Sequence, residues 1–392
     1  MKKQKRHKLC VVTGARSEYG LLRPLIFALS KSKNFDLCVL VTGMHLSEGF
    51  GMTESEIESD GFEIHERVEM LLDSMSQIGV SKSIGVGMIG LSDALSRLNP
   101  DAMIILGDRF EAFAAAATAH VLRIPIIHLH GGELTEGSID DGFRHAITKM
   151  SSLHFVSTEV YRDRVIQLGE HPERVFHVGA IGIESIRSLK LKSEKELCRE
   201  LNLPTLGNSL IITYHPTTIA NGNVEKECNE LFHALEKFNN MTMIFTGSNA
   251  DADGQRINKL MQQFVGKKYK QRRFFQSLGQ LRYLSLLRFV KGVVGNSSSG
   301  IIEAPEFGVG TVNIGSRQDG RVKPRSVVDC ACKRSDIEMA IRKIISPEFS
   351  TVLDALDHPY GKGKTTEAIM DVLKSTQFSK LNRKKFFDIK KH

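Results

Sequence analysis

The 392-residue sequence contains few of the residue patterns that covalent, metal or redox chemistry requires. Its six cysteines lie mostly inside apolar stretches, and Cys330 and Cys332 are too close together for an ordinary zinc knuckle. The glycine turn GARSEYG at residues 14–20 lacks the GxGxxG spacing, which disfavours a dinucleotide. We therefore expect no metal and no cofactor, and a reducing cytoplasm as the setting of these thiols.

The sequence also has no long apolar run, and the part between its two ends has no excess of basic residues. No segment approaches the roughly 20 apolar residues that span a bilayer, and the run from Leu9 to Val12 is too short for a signal-peptide core. The net charge of +8 belongs to the two ends, since residues 1–8 hold five basic side chains and residues 380–392 hold six against one aspartate. The body between them has a small acidic excess. We therefore predict solvated ends, no nucleic-acid partner and no membrane partner.

Short β-rich runs alternate with longer amphipathic stretches along the chain. In the first half the predicted strands are LCVVTG (9–14), LCVLVTG (37–43), MIILGD (103–108), IPIIHLH (124–130), LHFVST (153–158) and VFHVGA (175–180). The predicted helices between them are 20–32, 80–97 and 110–122. The alternation then restarts, with predicted strands at 209–216, 241–248, 272–276, 290–298 and 310–315 and predicted helices at 224–239, 253–265 and 335–345.

This alternation predicts an α/β fold of two Rossmann-like domains with a cleft between them. The predicted N-terminal domain covers residues 1–180 and the predicted C-terminal domain covers residues 181–363, with a linker and entry helix within 178–207. We expect a last helical stretch, within 364–392, to pack back onto the N-terminal domain. Because parallel sheets bind ligands at the carboxyl ends of their strands, residues that follow the predicted strands are candidates for a site.

The stretch HLHGGELTEGSIDDGFRHAITKM at 128–150 is rich in acid–base side chains, without a cysteine, a nucleophile-elbow serine or a Walker glycine pattern. His128 and His130 are two residues apart, so on a strand they share a face. Together with Glu133 they resemble metal ligands, but no helical HExxH follows in the loop. We favour proton transfer by four residues that a glycine-hinged loop brings together, His130, Glu133, Asp140 and Asp141.

Further carboxylates accompany this stretch. Asp140 and Arg144 lie four residues apart on the predicted helix, so one can orient the other; the alternative is a helix-supporting ion pair worth about 0.3–0.5 kcal/mol. Upstream, GDRFEA at 107–112 places Asp108 at the end of a strand, where a carboxylate can act as a base or hold a sugar hydroxyl. The alternative role for Asp108 is a helix N-cap. This number of carboxylates exceeds what capping requires, which favours a functional role.

Candidate anion-binding residues follow other strands. GARSEYG offers backbone N–H groups and Arg16 to a phosphate, although an ordinary strand–helix turn explains it equally well. TYHPTT ends a strand with His215, whose backbone the next proline restricts; the alternative is a core histidine. GSRQDGR contributes Arg317 and Arg321 as phosphate partners.

The most phosphate-like stretch is GNSSSGIIEAPEFG at 295–308. A strand ends in glycine, three hydroxyls follow, and a helix is predicted to begin near Ser299. N–H groups and the hydroxyls of Ser297 and Ser298 at a helix N-terminus suit a pyrophosphate, and Glu303 one turn later suits a ribose diol. The alternative, serine capping, needs only one serine.

These motifs, in this order, resemble the UDP-N-acetylglucosamine 2-epimerase family, whose members have the two-Rossmann GT-B fold. The likeness extends over nearly the whole chain and is greatest to the hydrolysing branch of bacterial sialic acid biosynthesis. The matching stretches are VTGMHLSEGFG (41–51), LGDRFE (106–111), HLHGGE (128–133), DDGFRHAITKMSSLHFVSTE (140–159), GSNAD (247–251), GNSSSGIIE (295–303) and GSRQDGR (315–321).

The resemblance implies a two-stage reaction on a UDP-sugar substrate. A base removes the proton from C2 of the sugar while UDP departs, which gives 2-acetamidoglucal. Water then adds at C1 and a proton adds at C2 on the opposite face, so that N-acetylmannosamine and UDP are released. The residues that the resemblance makes catalytic are Asp108, Asp140, Arg144 and His215. Those that it places at the UDP-sugar are Arg16, Ser297, Ser298 and Glu303.

Two positions depart from the pattern of the wider family. His130 stands where many members have a catalytic glutamate, so either His130 or Glu133 takes over its role in proton transfer, and we favour a shared role. Leu21 stands where non-hydrolysing relatives have a lysine, which agrees with the hydrolysing branch.

Three alternatives stay open at the level of sequence. The same reaction on UDP-2,4-diacetamido-2,4,6-trideoxyglucose, of the legionaminic acid route, fits the same motifs. A GT-B glycosyltransferase shares the fold and the UDP anchor, although the DDGFRH cluster weighs against it. A UDP-sugar-binding module without turnover is the third. The resemblance also leads us to expect a homo-oligomer, a dimer or tetramer. Because the reacting carbon must be kept from water until elimination is complete, we predict that the two halves of the chain close on UDP-sugar.

Overall fold

The chain folds into two compact units, and each unit is made of more than one segment of the chain. The computed structural model describes residues 6–74, 76–135, 138–216, 224–248, 252–266, 271–355, 358–361 and 363–389. The first unit comprises Met1–Glu133, Ile139–Ser185 and Tyr360–His392. The second unit comprises Leu134–Ser138 and Ile186–Pro359. Parts of the matching motifs, residues 217–218 of TYHPTT and 249–251 of GSNAD, lie outside the described residues.

The first unit is built on a seven-stranded parallel sheet of order β3-β2-β1-β4-β5-β6-β7. Its strands are β1 (His7–Thr13), β2 (Phe35–Thr42), β3 (Glu66–Val68), β4 (Ala102–Leu106), β5 (Ile126–Leu129), β6 (Leu153–Val156) and β7 (Val175–His177). Its helices are α1 (Arg16–Lys31), α2 (Glu54–Ser59), α3 (Gln77–Leu98), α4 (Phe110–Val121), α5 (Ile139–Met150), α6 (Glu159–Gln167) and α7 (Ile181–Ser188), of which α7 crosses into the second unit.

All six strands predicted for the first half are present. The central strands β1, β4, β5 and β6 are buried on both faces, which explains their nearly continuous apolar sequences. The sequence did not predict β3, because this edge strand has three residues and buries only Val68. Its short, polar sequence contains no detectable alternation.

The helix α3 is more apolar than the sequence analysis expected. It is the one described helix that is long and apolar enough to cross a membrane by length and composition, with a mean hydropathy of 1.2 over 18 residues. The expectation that no segment approaches this length was therefore wrong. Its isoleucine, valine and leucine side chains raise the mean, and about a third of the window is buried, with Leu91 and Leu95 in the same core as strand residues Leu40 and Met103.

The second unit is built on a six-stranded parallel sheet of order β10-β9-β8-β11-β12-β13. Its helices are α8 (Glu194–Leu201), α9 (Val224–Leu235), α10 (Ala252–Gly266), α11 (Gly279–Leu287), α12 (Ser299–Ile302), α13 (Arg334–Ile344) and α14 (Pro347–Asp354). Its strands are β8 (Ser209–Thr213), β9 (Thr242–Thr246), β10 (Arg272–Phe275), β11 (Gly292–Gly295), β12 (Gly310–Ile314) and β13 (Val327–Cys330). The first five of these strands were predicted, whereas the partly exposed edge strand β13 was not.

The C-terminal segment belongs to the first unit. Its helix α15 (Thr365–Ser375) packs on α1, and Ile369 and Leu373 share a core with Leu22 and Leu25 of that helix. The prediction that the C-terminal end is solvated agrees with the exposed Lys385 and Asp388 but was wrong for Leu381. Leu381 is buried because it packs into this same core.

Candidate active site

The loop after β4 places Asp108 beside a buried arginine. Gly107 has a left-handed backbone with φ 77°, which favours glycine, and it turns the chain out of the sheet. The carboxylate of Asp108 forms an ion pair with the Nη2 atom of Arg144, which is almost fully buried on α5. A second carboxylate, of Asp141, lies 4.0 Å from Nη1 of Arg144. The structure thus brings two of the predicted residues, Asp108 and Arg144, into direct contact.

Helical spacing alone predicts Asp140 as the partner of Arg144. Asp140 lies in the first turn of α5, as predicted, one turn before Arg144 on the same helix. The short ion pair of Arg144 is made with Asp108 on a different element, because the guanidinium is buried and reaches across to the neighbouring loop. Arg144 therefore does orient a carboxylate, but the carboxylate in contact with it belongs to Asp108.

His130 and Glu133 form a hydrogen-bonded pair in the loop after β5. His130 Nδ1 lies 2.9 Å from Glu133 Oε1, and Ser157 Oγ donates to the same oxygen over 3.0 Å. The backbone N–H of Ile181 points at His130 Nε2 over 3.4 Å. Because that N–H can only donate, Nε2 is the acceptor and Nδ1 carries the proton given to Glu133.

The expectation that His128 and His130 share a strand face was wrong. The strand β5 ends at Leu129, and His130 has a left-handed backbone with φ 65°, which is uncommon outside glycine. The reversal turns His130 towards Glu133, whereas His128 stays inside the sheet. Among the described residues, no group of three or more histidine, cysteine, aspartate or glutamate side chains is arranged to hold a metal ion.

Two buried glutamates of the first unit were not singled out from the sequence. The backbone N–H of Gly14 donates to Glu18 Oε2 over 2.7 Å, so Glu18 fixes the GARSEYG turn from within. Arg109 binds both oxygens of Glu111, with Nη2 at 2.9 Å and Nε at 3.2 Å. Burial, and next the charge of Glu111, raises the pKa of Glu18 to about 7. Both residues stood inside quoted motifs, but nothing in the sequence indicated that they lie together.

Arg16 begins α1 directly after this turn. Its side chain is well exposed, and its Nε atom forms a 2.8 Å ion pair with Glu56 Oε1. An exposed pair of this kind contributes little to stability, so the guanidinium is available to exchange partners.

In the second unit, a buried asparagine organises the residues around His215. The N–H of His215 donates to Asn296 Oδ1 over 2.7 Å, and Asn296 Nδ2 donates to the His215 carbonyl over 2.9 Å. Arg317 and Gln318 both donate to the carbonyl oxygen of Asn296, at 3.0 and 2.8 Å. The sequence analysis missed Asn296, although it sits within the phosphate-like motif.

His215 is held as a neutral ring. Its Nδ1 atom lies 3.0 Å from Ser248 Oγ. Burial lowers the pKa of His215 to about 3, and the charge of Arg317 adds to the effect. A core histidine and a functional histidine are both compatible with this burial, but the Arg317 and Asn296 contacts join it to the predicted anion site.

The serine-rich stretch forms only one helical turn. The helix α12 begins at Ser299, as predicted, but it has four residues, and the side chain of its N-cap, Ser298, makes no capping hydrogen bond. Ser297 Oγ accepts from the Ser299 N–H over 3.4 Å. Ser299 Oγ bonds Tyr283 Oη at 2.7 Å and also the carboxylate of Glu303, whose pKa is raised by burial. Ser299 and Tyr283 are therefore additional residues around the predicted ribose carboxylate.

The second predicted arginine, Arg321, lies in the same unit. Its Nη2 atom donates to Thr135 Oγ1 over 3.3 Å. The segment Leu134–Ser138, which contains Thr135, directly follows Glu133 in sequence.

With this geometry in place, the comparison with known proteins defines the family. The family model for UDP-N-acetylglucosamine 2-epimerase matches residues 27–374. The GDP/UDP-N,N'-diacetylbacillosamine 2-epimerase (hydrolyzing) of Campylobacter jejuni is 40% identical over 344 residues, which cover 88% of this chain and 89% of that protein. The polysialic acid biosynthesis protein P7 of Escherichia coli is 38% identical over 97% of both chains. The UDP-N,N'-diacetylbacillosamine 2-epimerase (hydrolyzing) of Legionella pneumophila is 33% identical over 94% of this chain and 96% of its own length.

Solved structures share the fold at low sequence identity. The UDP-GlcNAc 2-epimerase of Neisseria meningitidis, bound to UDP-GlcNAc, has a TM-score of 0.81 and 17% identity, covering 94% of this chain and 100% of that one. The Methanocaldococcus jannaschii UDP-GlcNAc 2-epimerase, in complex with UDP-GlcNAc and UDP, has a TM-score of 0.78 and 18% identity with the same coverage. The predicted α/β fold with two Rossmann-like parallel sheets is thus confirmed. The chain belongs to the UDP-N-acetylglucosamine 2-epimerase family.

Proposed function

We propose that the chain is a hydrolysing 2-epimerase that converts UDP-N-acetylglucosamine and water to N-acetylmannosamine and UDP. The reaction class, hydrolysing 2-epimerisation of a nucleotide sugar, is supported by the family and by the two relatives named as hydrolysing enzymes. The observation that carries the proposal is the contact between Asp108 and Arg144. Asp108 follows β4, and β4 pairs with β5, the strand that leads into the hydrogen-bonded pair of His130 and Glu133. Such a set of acid–base groups at strand ends suits proton abstraction and return.

The first stage is an elimination. Asp108 accepts the proton of C2, the electrons of the C2–H bond form the C1–C2 double bond, and the C1–O bond to UDP breaks. The guanidinium of Arg144 holds the Asp108 carboxylate in a fixed orientation, which a base requires. Asp140, also in the proposed catalytic set, begins the helix that carries Arg144.

The second stage is the addition of water. The oxygen of water bonds to C1 while one proton of that water passes to the carboxylate of Glu133, and a proton then arrives at C2 on the opposite face, so that the sugar leaves as the C2 epimer. We assign this proton to the pair of His130 and Glu133, acting together, because His130 Nδ1 and the buried Glu133 carboxylate share one hydrogen bond. Glu133 orients the ring, and Ser157 keeps the carboxylate in place.

The departing UDP needs charge stabilisation, because proton abstraction next to an amide-bearing carbon is difficult. We assign this role to Arg317, Arg321 and Arg16. In the same assignment, Ser297 and Ser298 contact the phosphates, and Glu303 binds the ribose diol. His215 contributes a neutral ring beside Arg317.

The first test is the release of UDP from UDP-N-acetylglucosamine in the absence of any acceptor sugar. Release of UDP together with free N-acetylmannosamine supports the proposal. Release that requires an acceptor sugar contradicts it in favour of a glycosyltransferase. Binding of UDP-sugar without any release contradicts it in favour of a binding module.

A second substrate is favoured by a specific observation. Two of the relatives, at 40% and 33% identity, are named for N,N'-diacetylbacillosamine, which is the 2,4-diacetamido-2,4,6-trideoxy sugar. The same elimination applies to it, since the C2 acetamido group is unchanged. Ratios of kcat/KM measured for the two UDP-sugars on one enzyme preparation decide between them. A kcat/KM at least about tenfold higher for the diacetamido sugar would identify it as the substrate in place of UDP-N-acetylglucosamine.

We also propose that the chain forms a homo-oligomer through α3 and that it works in a reducing cytoplasm. Ile78 and Ile89 on α3 are 69% and 72% exposed, a large apolar area for one helix. Light scattering of the purified protein measures the oligomeric state. We expect Ile89→Lys to lower the molar mass to that of the monomer, and Met339→Lys, an exposed apolar residue on α13, to leave it unchanged. A monomeric parent protein, or an unchanged Ile89→Lys variant, contradicts the assignment.

A further inference from the structure

One fully buried histidine of the candidate active site has no role in the proposed reaction. His128 is the third residue of β5. Its Nε2 atom lies 2.8 Å from the carbonyl oxygen of Gly107, and its Nδ1 atom lies 3.1 Å from Thr148 Oγ1. Because a carbonyl oxygen only accepts, Nε2 carries the proton, and in a neutral ring Nδ1 accepts from the Thr148 hydroxyl.

The first of these hydrogen bonds fixes the residue that precedes Asp108. Gly107 has the left-handed backbone noted above, and its N–H donates to the Leu129 carbonyl over 3.0 Å. With the bond from His128, both polar groups of Gly107 are held by adjacent residues of β5. The direction in which Asp108 leaves the sheet therefore depends on these two bonds.

The second hydrogen bond reaches the helix that carries Arg144. Thr148 is fully buried on α5 and lies four residues after Arg144, on the same face of the helix. The loop of Asp108 and the helix α5 are thus joined twice. One link is the Asp108–Arg144 ion pair, and the other is the chain from Gly107 through His128 to Thr148.

The loop that holds His130 and Glu133 rests on the same ring. A Cβ atom at Gly131 would lie 2.9 Å from Thr148 Oγ1 and 3.0 Å from His128 Nδ1, closer than side chains pack. The glycine therefore lets the loop approach the hydrogen bond between these two residues. One imidazole contacts all three segments that carry the proposed acid–base groups.

The surroundings of His128 keep its ring neutral. Burial lowers the pKa of His128 to about 3, and Arg144 adds a smaller effect in the same direction. A charged ring would have two donors and no acceptor for the Thr148 hydroxyl.

We propose that His128 is a positioning residue that holds Asp108, Arg144 and the His130–Glu133 loop in register for proton transfer, through a fixed neutral ring protonated at Nε2. This inference rests on the proposed function for the roles of those groups. It assigns no contact with substrate to His128 itself.

Steady-state kinetics of two variants test the proposal. His128→Leu removes both hydrogen bonds, whereas the side-chain amide of His128→Gln can still donate to Gly107. We expect His128→Leu to lower kcat about 100-fold with KM within about threefold, because a displacement near 1 Å costs this much. The kcat of His128→Gln should be at least about tenfold higher than that of His128→Leu. The matched control is His154→Leu, which removes a fully buried histidine paired in register with His128 on β6. We expect its kcat, per folded molecule, to stay at the parent value.

If His128→Leu does not fold, two variants of Thr148 and a spectroscopic measurement test the same proposal. Thr148→Val should lower kcat about tenfold, and Thr148→Ser, which keeps the hydroxyl, should restore it. Nitrogen-15 NMR of the parent protein should show the His128 ring neutral and protonated at Nε2 from pH 5 to pH 8. That measurement needs no turnover, so it separates a failure of this inference from a failure of the proposed function. A charged ring, protonation at Nδ1, or equal losses of kcat in His128→Leu and His154→Leu would overturn the proposal.

Discussion

Three largely buried carboxylates in the first unit, those of Asp108, Glu133 and Glu18, have different kinds of partner. Asp108 is paired with a guanidinium, whereas Glu133 accepts from an imidazole and a hydroxyl. Glu18 accepts from a backbone N–H and lies near Glu111, another carboxylate. The guanidinium orients the Asp108 carboxylate, whereas burial raises the pKa of Glu18.

Replacement of the proposed base should remove the elimination step. We expect Asp108→Asn to lower kcat by about 10³-fold or more, since an amide cannot accept the C2 proton, while the Kd for UDP measured by calorimetry changes little. The exposed Asp93→Asn on α3 serves as the control and should keep the parent kcat. An Asp108→Asn enzyme within tenfold of the parent kcat would remove Asp108 from the mechanism.

The raised pKa of Glu18 has a consequence for stability. The native protein binds this proton up to about pH 7, whereas the unfolded chain loses it near the ordinary value for glutamate. The contribution of Glu18 to the free energy of unfolding therefore falls as pH rises from about 4.5 to about 7 and stays low above that range. Its loss is on the order of 1–3 kcal/mol.

The variant Glu18→Gln should not show this loss, because an amide does not titrate and its oxygen still accepts from Gly14. Urea unfolding at pH 5 and pH 8 measures the difference. We expect the variant to lose less stability than the parent between these pH values, and the exposed Glu63→Gln to behave as the parent does. Identical pH dependence in Glu18→Gln and the parent would show that the proton is bound elsewhere.

At the scale of the elements, the sequence predicted what apolar runs and glycine turns determine. The buried strands of both sheets were found because residues covered on two faces are apolar throughout. Two of the four edge strands, β3 and β13, were missed, since each has only three or four residues and buries little of its surface. The reversal at His130 was missed as well, because a left-handed histidine has no sequence signature.

Side-chain partners were predictable only within one element. Asp140 and Arg144 were recognised as neighbours from helical spacing, whereas the contact of Arg144 with Asp108 joins residues 36 positions apart. Glu18 and Glu111 likewise come together only because β1 and β4 are adjacent in the sheet. The candidate residues could therefore be named from the sequence, but their pairing required the fold.

The C-terminal segment supplies a cap to the helix that carries Arg144. The Nζ atom of Lys384 donates to the carbonyl oxygens of Lys149 and Ser151, the latter at 2.7 Å, at the C-terminal end of α5. It also lies 2.7 Å from Oε1 of the buried Glu170. Burial raises the pKa of Glu170, but hydrogen bonds from His154 and Lys384 outweigh this and lower it to about 2.

Removal of this cap should destabilise the first unit. We expect Lys384→Met to lower the free energy of unfolding by about 1–3 kcal/mol at pH 7, since both carbonyls and Glu170 lose a charged donor. The stability contributed by Glu170 is present above its ordinary pKa and is lost as pH falls towards 2. The difference between variant and parent should therefore shrink at pH 3. Thermal unfolding of Lys384→Met beside the exposed Lys385→Met measures it, and equal Tm values for both variants would contradict the cap.

At the scale of the whole molecule, the proposed roles divide between the two units. The acid–base candidates Asp108, His130, Glu133 and Arg144 belong to the first unit, and the proposed UDP residues except Arg16 belong to the second. The basic C-terminal end is partly packed into the first unit, through Leu381 and Lys384. The charge of the body gives no support to nucleic-acid binding.

The central claim is that C2 of the sugar loses its proton before water adds. A proton NMR time course of the enzyme with UDP-N-acetylglucosamine in deuterated water tests this most directly. Elimination followed by addition of water should give UDP and free N-acetylmannosamine that carries deuterium at C2. Free N-acetylglucosamine with its original C2 proton, or a UDP-sugar that is still unchanged when the diacetamido substrate also fails, would contradict the account.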